Sequence, residues 1–106
     1  MTLEDLRAIP LYQTKGIAAA CQKDAATLGY IMDCLQRFYA GDYGEIPAED
    51  TESNNSDLQA GYGHILARYK AQHSLQSNIY IEAHIDKDLP GNLDANNTLV
   101  MYCGER

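Results

Sequence analysis

The sequence predicts an α+β fold: an amphipathic helix and a second, polar helix packed against a three-stranded, at most four-stranded, antiparallel sheet. Apolar residues recur at helical spacing from Leu28 to Tyr39, and after Gly63 the period falls from about 3.6 to about 2. Between these halves lies Gly41-Asp42-Tyr43-Gly44, a tight turn by residue type. A chain of 106 residues and 11.8 kDa is expected to form one domain spanning 1–106. Area scaling gives it a folded surface of about 5,900 Å² against about 17,000 Å² unfolded, enough burial for a core without disulfides.

The elements follow in order. Thr2 reads as an N-cap with Asp5 at the N3 position, Leu3 and Leu6 share one side, and Pro10 ends this brief helix. The small apolar segment Leu11 to Ala20, interrupted by Gly16, reads as a short strand, although its period is too poor to decide its type. Asp24 caps the clearest element. Leu28, Ile31, Leu35, Phe38 and Tyr39 form its apolar stripe, Asp33, Gln36 and Arg37 lie opposite, and Gly41 supplies the stop.

Pro47 stands where a first helical position belongs, and Glu49 and Asp50 suit the positive end of a helix dipole. The helix from about Pro47 to Ala60, stopped by Gly61 or Gly63, has Leu58 as its only large apolar residue and is expected to lie on the surface. Three strands follow, His64 to Lys70, Asn78 to Asp86 and Thr98 to Cys103. In the second, Ile79, Ile81, Ala83 and Ile85 share one face while Tyr80, Glu82, His84 and Asp86 share the other.

Charge narrows the function classes. Eight Lys and Arg against fifteen Asp and Glu leave a net charge of -7, which disfavours direct contact with nucleic acid. No apolar run approaches the ~18 residues of a membrane span. The start Met1-Thr2-Leu3-Glu4-Asp5-Leu6 lacks a basic n-region and an apolar h-region, and Cys21, Cys34 and Cys103 are an odd count without C-x-x-C spacing. A cytoplasmic protein with reduced thiols is the expectation.

Nothing in the chain reads as catalytic. G-x-S-x-G, P-loop and G-x-G-x-x-G motifs are missing, and Glu49 and Asp50, adjacent on a helix, diverge rather than converge on a substrate. The expectation is a non-enzyme without a cofactor.

Two groups of residues are candidate sites. Asp42, Glu45, Glu49, Asp50, Glu52 and Asp57 fall in a stretch with no Lys or Arg, and Tyr43 is expected to be exposed beside them. Such a surface would dock on a basic protein partner, with association that fades with salt, or would simply be a solvated face that keeps the chain soluble. The other group is His64 and His84. If the hairpin folds about residue 74 they stand opposite each other, with Cβ atoms about 5 Å apart, close enough to share a metal ion. Glu82 or Asp86 would then supply a third ligand. A homodimer through the sheet edge is the remaining alternative.

The order of motifs carries a resemblance. Gly41-Asp42-Tyr43-Gly44, Glu49-Asp50, Asn54 and Gly61 precede His64-Ile65-Leu66-Ala67-Arg68-Tyr69, then Ile79-Tyr80-Ile81, Asp86-Lys87 and Thr98-Leu99-Val100-Met101. From about Ile17 onward the chain resembles small uncharacterised "plasmid-related" proteins of plasmids, phages and integrated elements. It departs from them in having His64 where they tend to have Arg, His84 where they tend to have an acid, and a longer loop around Pro90. The resemblance implies an accessory protein of a mobile element, a setting in which small acidic proteins are often anti-restriction or anti-CRISPR inhibitors.

Overall fold

Every helix of this protein begins or ends on a residue whose backbone or side chain requires the boundary. In the computed structural model, which describes residues 1–106, Thr2 and Asp5 close a reciprocal capping box on α1 (Leu3–Arg7). Asp24 is extended at φ -153, so it ends α2 (Lys15–Lys23) and caps α3 (Ala25–Tyr39) through the Ala26 N–H. Gly61, left-handed at φ 71, stops α4 (Ala48–Ala60), while Pro47 stands just outside as its N-cap.

Four strands form one sheet in the order β1-β4-β3-β2, from β1 (Leu11–Gln13), β2 (Tyr62–Tyr69), β3 (Ile79–Asp86) and β4 (Asn97–Tyr102). The meander β2-β3-β4 is antiparallel, and its register sets His64 opposite His84, as a hairpin about residue 74 requires. The sheet as a whole is mixed, because β1 runs parallel to β4. That corrects the all-antiparallel expectation. Three residues are too few to show an alternating pattern, and β1 finds its partner only after α2, α3, α4 and the hairpin have intervened. The reading of Leu11 to Ala20 as one short strand is corrected too: the strand ends at Gln13, and from Lys15 the segment is the nine-residue α2, whose small side chains gave no clear period. Thr14 accepts from the Ile17 N–H at 3.3 Å, and the small residues that follow turn Ile17 and Ala20 into the core.

Ile17, Ile31, Leu35 and Phe38 of the helices join Ile65, Ala67, Tyr69, Ile79, Ile81, Ala83, Ile85 and Val100 of the sheet in a single buried cluster. The predicted stripe of α3 holds at Ile31, Leu35 and Phe38 but is rotated by one position at its start. Leu28 is 49% exposed, and Thr27 and Cys34 take the buried positions. The sheet ends at β1, and nothing lies above Leu28.

Strand β2 is an edge, and its outward N–H groups at His64, Leu66 and Arg68 are all occupied. The Arg68 N–H donates to the Tyr43 carbonyl at 3.1 Å, and the Arg68 carbonyl accepts from the Glu45 N–H at 2.8 Å. One turn further on, the Asn54 amide mimics a strand: its Oδ1 accepts from the Leu66 N–H at 3.0 Å and its Nδ2 donates to the Leu66 carbonyl at 2.9 Å. Asp57 Oδ2 then accepts from the His64 N–H at 3.1 Å. Asn54 is the only buried residue of α4, so the polar helix is held to the sheet by hydrogen bonds rather than by an apolar stripe.

Asn54→Ala leaves the Leu66 N–H and C=O without partners at a part-buried edge. A loss of about 1–3 kcal/mol is expected in urea unfolding, the cost of unsatisfied buried polar groups. A loss below about 0.5 kcal/mol, the range of ordinary surface changes, would mean that water replaces the amide freely.

Candidate functional site

The acidic stretch separates into two sets. Glu49, Asp50 and Glu52 lie exposed on α4 and none is in an ion pair. Asn54 and Asp57, one turn apart, turn to the sheet, whereas Glu49 and Glu52, also one turn apart, lie on the other side of the helix. These three carboxylates are the free part of the surface.

The remaining acids have work within the fold. Asp42 accepts from Arg37 Nε at 2.7 Å and Nη2 at 3.3 Å, and from the Gly44 N–H at 3.1 Å. Arg37 in turn lies 4.9 Å from the centre of the Tyr69 ring. Glu45 pairs with Lys70 at 3.1 Å. Asp57 closes the end of β2, and Gly63, at φ 121, has no room for a Cβ against its carboxylate.

Tyr43 corrects the expectation of an exposed aromatic beside the acids. It is 4% exposed and meets Phe38 edge-on with ring centres 6.0 Å apart. The turn folds inward because its backbone is needed at the β2 edge, which carries the Tyr43 side chain into the core. Tyr62, by contrast, is 67% exposed. Burial pushes the hydroxyls of Tyr39, Tyr43 and Tyr69 up, and that of Tyr30 up to about 12. The Tyr69 hydroxyl donates to the Asp42 carbonyl at 2.7 Å and the Tyr30 hydroxyl to the Lys70 carbonyl at 2.6 Å.

His64 and His84 face each other with ring centres 6.3 Å apart, beside an open groove of about 430 Å³ that Asp86 and Asp94 also line. The third metal ligand expected of Glu82 or Asp86 is not delivered. No group of three His, Cys, Asp or Glu side chains is placed to hold a metal ion. Glu82 is buried and its Oε2 receives Arg106 Nε at 3.0 Å and Nη2 at 2.8 Å, leaving Oε1 3.4 Å from His84 Nε2. Asp86 accepts from the Asp88 N–H at 3.0 Å in the following turn. A carboxylate taken out of water is retained where a guanidinium compensates it, and that pairing removes Glu82 from the ligand set.

The pair Glu82–Arg106 escaped the sequence reading, since Glu82 alternates into the polar face of its strand and its partner lies 24 residues away. Asn54 escaped it too, because an Asn inside a polar helix has no local signature of an edge cap. Nucleophiles are not assembled: burial pushes the Cys21 and Cys34 thiols up, and Ser74 is bonded to Asp24 at 3.3 Å.

No protein-family model matches the chain, and neither a curated protein nor a solved structure does. No helix is long and apolar enough to cross a membrane.

The Arg37 guanidinium beside Asp42, with the Gly44 N–H, holds that carboxyl below the usual aspartate range. A depressed carboxylate contributes stability that is present above its unfolded value, about 3.9, and is lost as pH falls through the folded one. Asp42→Asn is therefore expected to lower stability at neutral pH and to lessen the decline below about pH 4. Thermal unfolding followed from pH 7 to pH 2 checks it, and parallel profiles for the two proteins would refute the role.

Proposed function

We propose that this chain is a small acidic, non-enzymatic interaction protein of a mobile genetic element. On this reading it is a counter-defence inhibitor, anti-restriction or anti-CRISPR, that binds the basic face of a nucleic-acid-handling protein. The supporting observation is α4: thirteen residues with no Lys or Arg, whose Glu49, Asp50 and Glu52 are exposed and unpaired within the chain. A fold that needed those carboxylates for its own stability would pair them, as it does Asp42 and Glu45. The mobile-element setting rests on the resemblance of the motif order, and the class of partner rests on charge. A face of this sign competes with phosphates for a basic groove, and its attraction is screened within about 8 Å at physiological salt.

A second reading has one observation in its favour. His64 and His84 border an open groove together with Asp86 and Asp94, which suits a small polar ligand or an ion completed by water or by a partner. A stoichiometric metal in protein purified without a tag would place this reading first.

Charge reversal at Glu49→Lys, Asp50→Lys and Glu52→Lys together is the direct test. Expected is loss of retention of a nucleic-acid-handling complex from host lysate, while the wild-type chain retains it at low salt and releases it as salt rises. The variant should remain folded and unfold cooperatively, with stability lowered by no more than about 1–2 kcal/mol, because the side chains are exposed and Glu49 and Asp50 lose only their interaction with the N-terminal end of α4. An empty wild-type column, or retention unaltered by the reversal, overturns the proposal.

A further inference from the structure

The two edges of the sheet are treated differently. At β2 the outward N–H groups of His64, Leu66 and Arg68 are all taken up by Asp57, Asn54 and Tyr43. At β1 they are open. The Pro10 carbonyl accepts from the Thr98 N–H at 2.8 Å and the Thr14 N–H donates to the Val100 carbonyl at 3.1 Å, so alternation turns Tyr12 toward β4 and leaves Leu11 and Gln13 pointing away from the sheet. Outside the sheet ladder no hydrogen bond reaches the backbone of either residue. An uncapped edge of this kind is a template for another strand.

The same edge is apolar. Leu11, Tyr12, Leu28 and Met32 are each between 46% and 51% exposed, and a groove of about 270 Å³ runs between β1 and α3, lined by them with Gln13, Ile31, Leu35 and Val100. Taken over both faces of the edge, Leu11, Leu28 and Met32 on one and Tyr12 on the other, half-exposed side chains of this size present about 400 Å². None of the lining residues is charged. In a chain of net charge -7 this is the surface on which like-charged copies meet with least repulsion. The sheet order β1-β4-β3-β2, with α4 held to β2, puts the free carboxylates at the far end.

We infer that a second copy of this chain covers this edge, with two protomers joined β1 to β1 about a two-fold axis through Tyr12 in one continuous sheet. The pairing is self-complementary. Antiparallel strands centred on Tyr12 set the outward groups of Leu11 against those of Gln13 in the partner, and of Gln13 against those of Leu11, while Tyr12 meets its own copy in a non-hydrogen-bonded pair. Leu11 and Gln13 share the sheet face of Thr98 and Val100, so the rim of α3, with Leu28 and Met32, closes on its equivalent across the axis. Tyr12 lies on the other face beside Leu99. Two copies of the patch remove about 800 Å², below the ~1,200 Å² where standard specific interfaces begin, which is the size of a weak, concentration-dependent dimer. The inference makes no use of α4, so it stands or falls separately from the proposed function.

Sedimentation at micromolar concentration is expected to give twice the 11.8 kDa of the chain for the wild-type protein and for the charge-reversed α4 variant. Leu28→Glu with Met32→Glu is expected to sediment as a folded monomer, its helix content checked by circular dichroism, since both side chains are half exposed. Tyr12→Cys tests the register: a directly opposed pair has Cα atoms about 4.5 Å apart, within disulfide reach, so mild oxidation should give a reducible dimer that wild type does not form. A wild-type monomer, or a dimer that survives Leu28→Glu with Met32→Glu, overturns the inference. A monomer that binds an extended peptide along β1 would give the edge to a different occupant.

Discussion

The outward backbone of β2 is the constraint on which the rest of this structure depends. An edge strand presents N–H and C=O groups at every second residue, and groups that are neither paired nor wet are costly. Three separate segments answer that demand at β2: the backbone of the Tyr43–Glu45 turn, the Asn54 amide and the Asp57 carboxylate. Each answer settles something else. The turn draws Tyr43 into the core, Asn54 fixes how α4 lies, and Asp57 ends the strand beside Gly63, where a side chain would not fit.

This arrangement also explains why an uninterrupted run of acids in sequence is not an uninterrupted surface. Residues that serve the edge or its flanking turn are tied to partners, as Asp42 is to Arg37 and Glu45 to Lys70. The helix that carries the others is held by Asn54, Asp57 and the partly buried Leu58, so its opposite face, with Glu49 and Glu52, has no partner within the chain. Separating the anchor from the exposed face lets charge accumulate on α4 without loading the core. On the opposite sheet face the rule is reversed: Glu82 is buried, and the price of that burial is a dedicated guanidinium from Arg106.

The two edges differ in chemistry. One is closed with hydrogen bonds and carries acids, which suits a partner reached through long-range attraction. The other is open and uncharged, which suits contact by strand pairing and burial. In a dimer joined at β1 both α4 helices would point outward, presenting two acidic faces at the ends of one eight-stranded sheet. Such bivalence raises avidity for a partner with two basic sites without any new contact.

Sequence alone determined the elements whose signal is local. The stripe of Ile31, Leu35 and Phe38, the caps at Thr2 and Asp24, a stop at Gly61 or Gly63 and the alternation of Ile79 to Ile85 are written in residues a few positions apart, and even the pairing of His64 with His84 follows from one turn. Tertiary structure decided everything that depends on a partner distant in the chain. Leu11 to Gln13 is a strand only because β4 lies beside it, and Leu28 is exposed only because the sheet stops there. Asn54 is an edge cap only because Leu66 comes within reach, and Glu82 is an ion-pair member rather than a ligand only because Arg106 returns to it. Periodicity records which face of an element is apolar; it does not record which remote backbone or charge that element will meet, and here those meetings assign the roles of the polar residues.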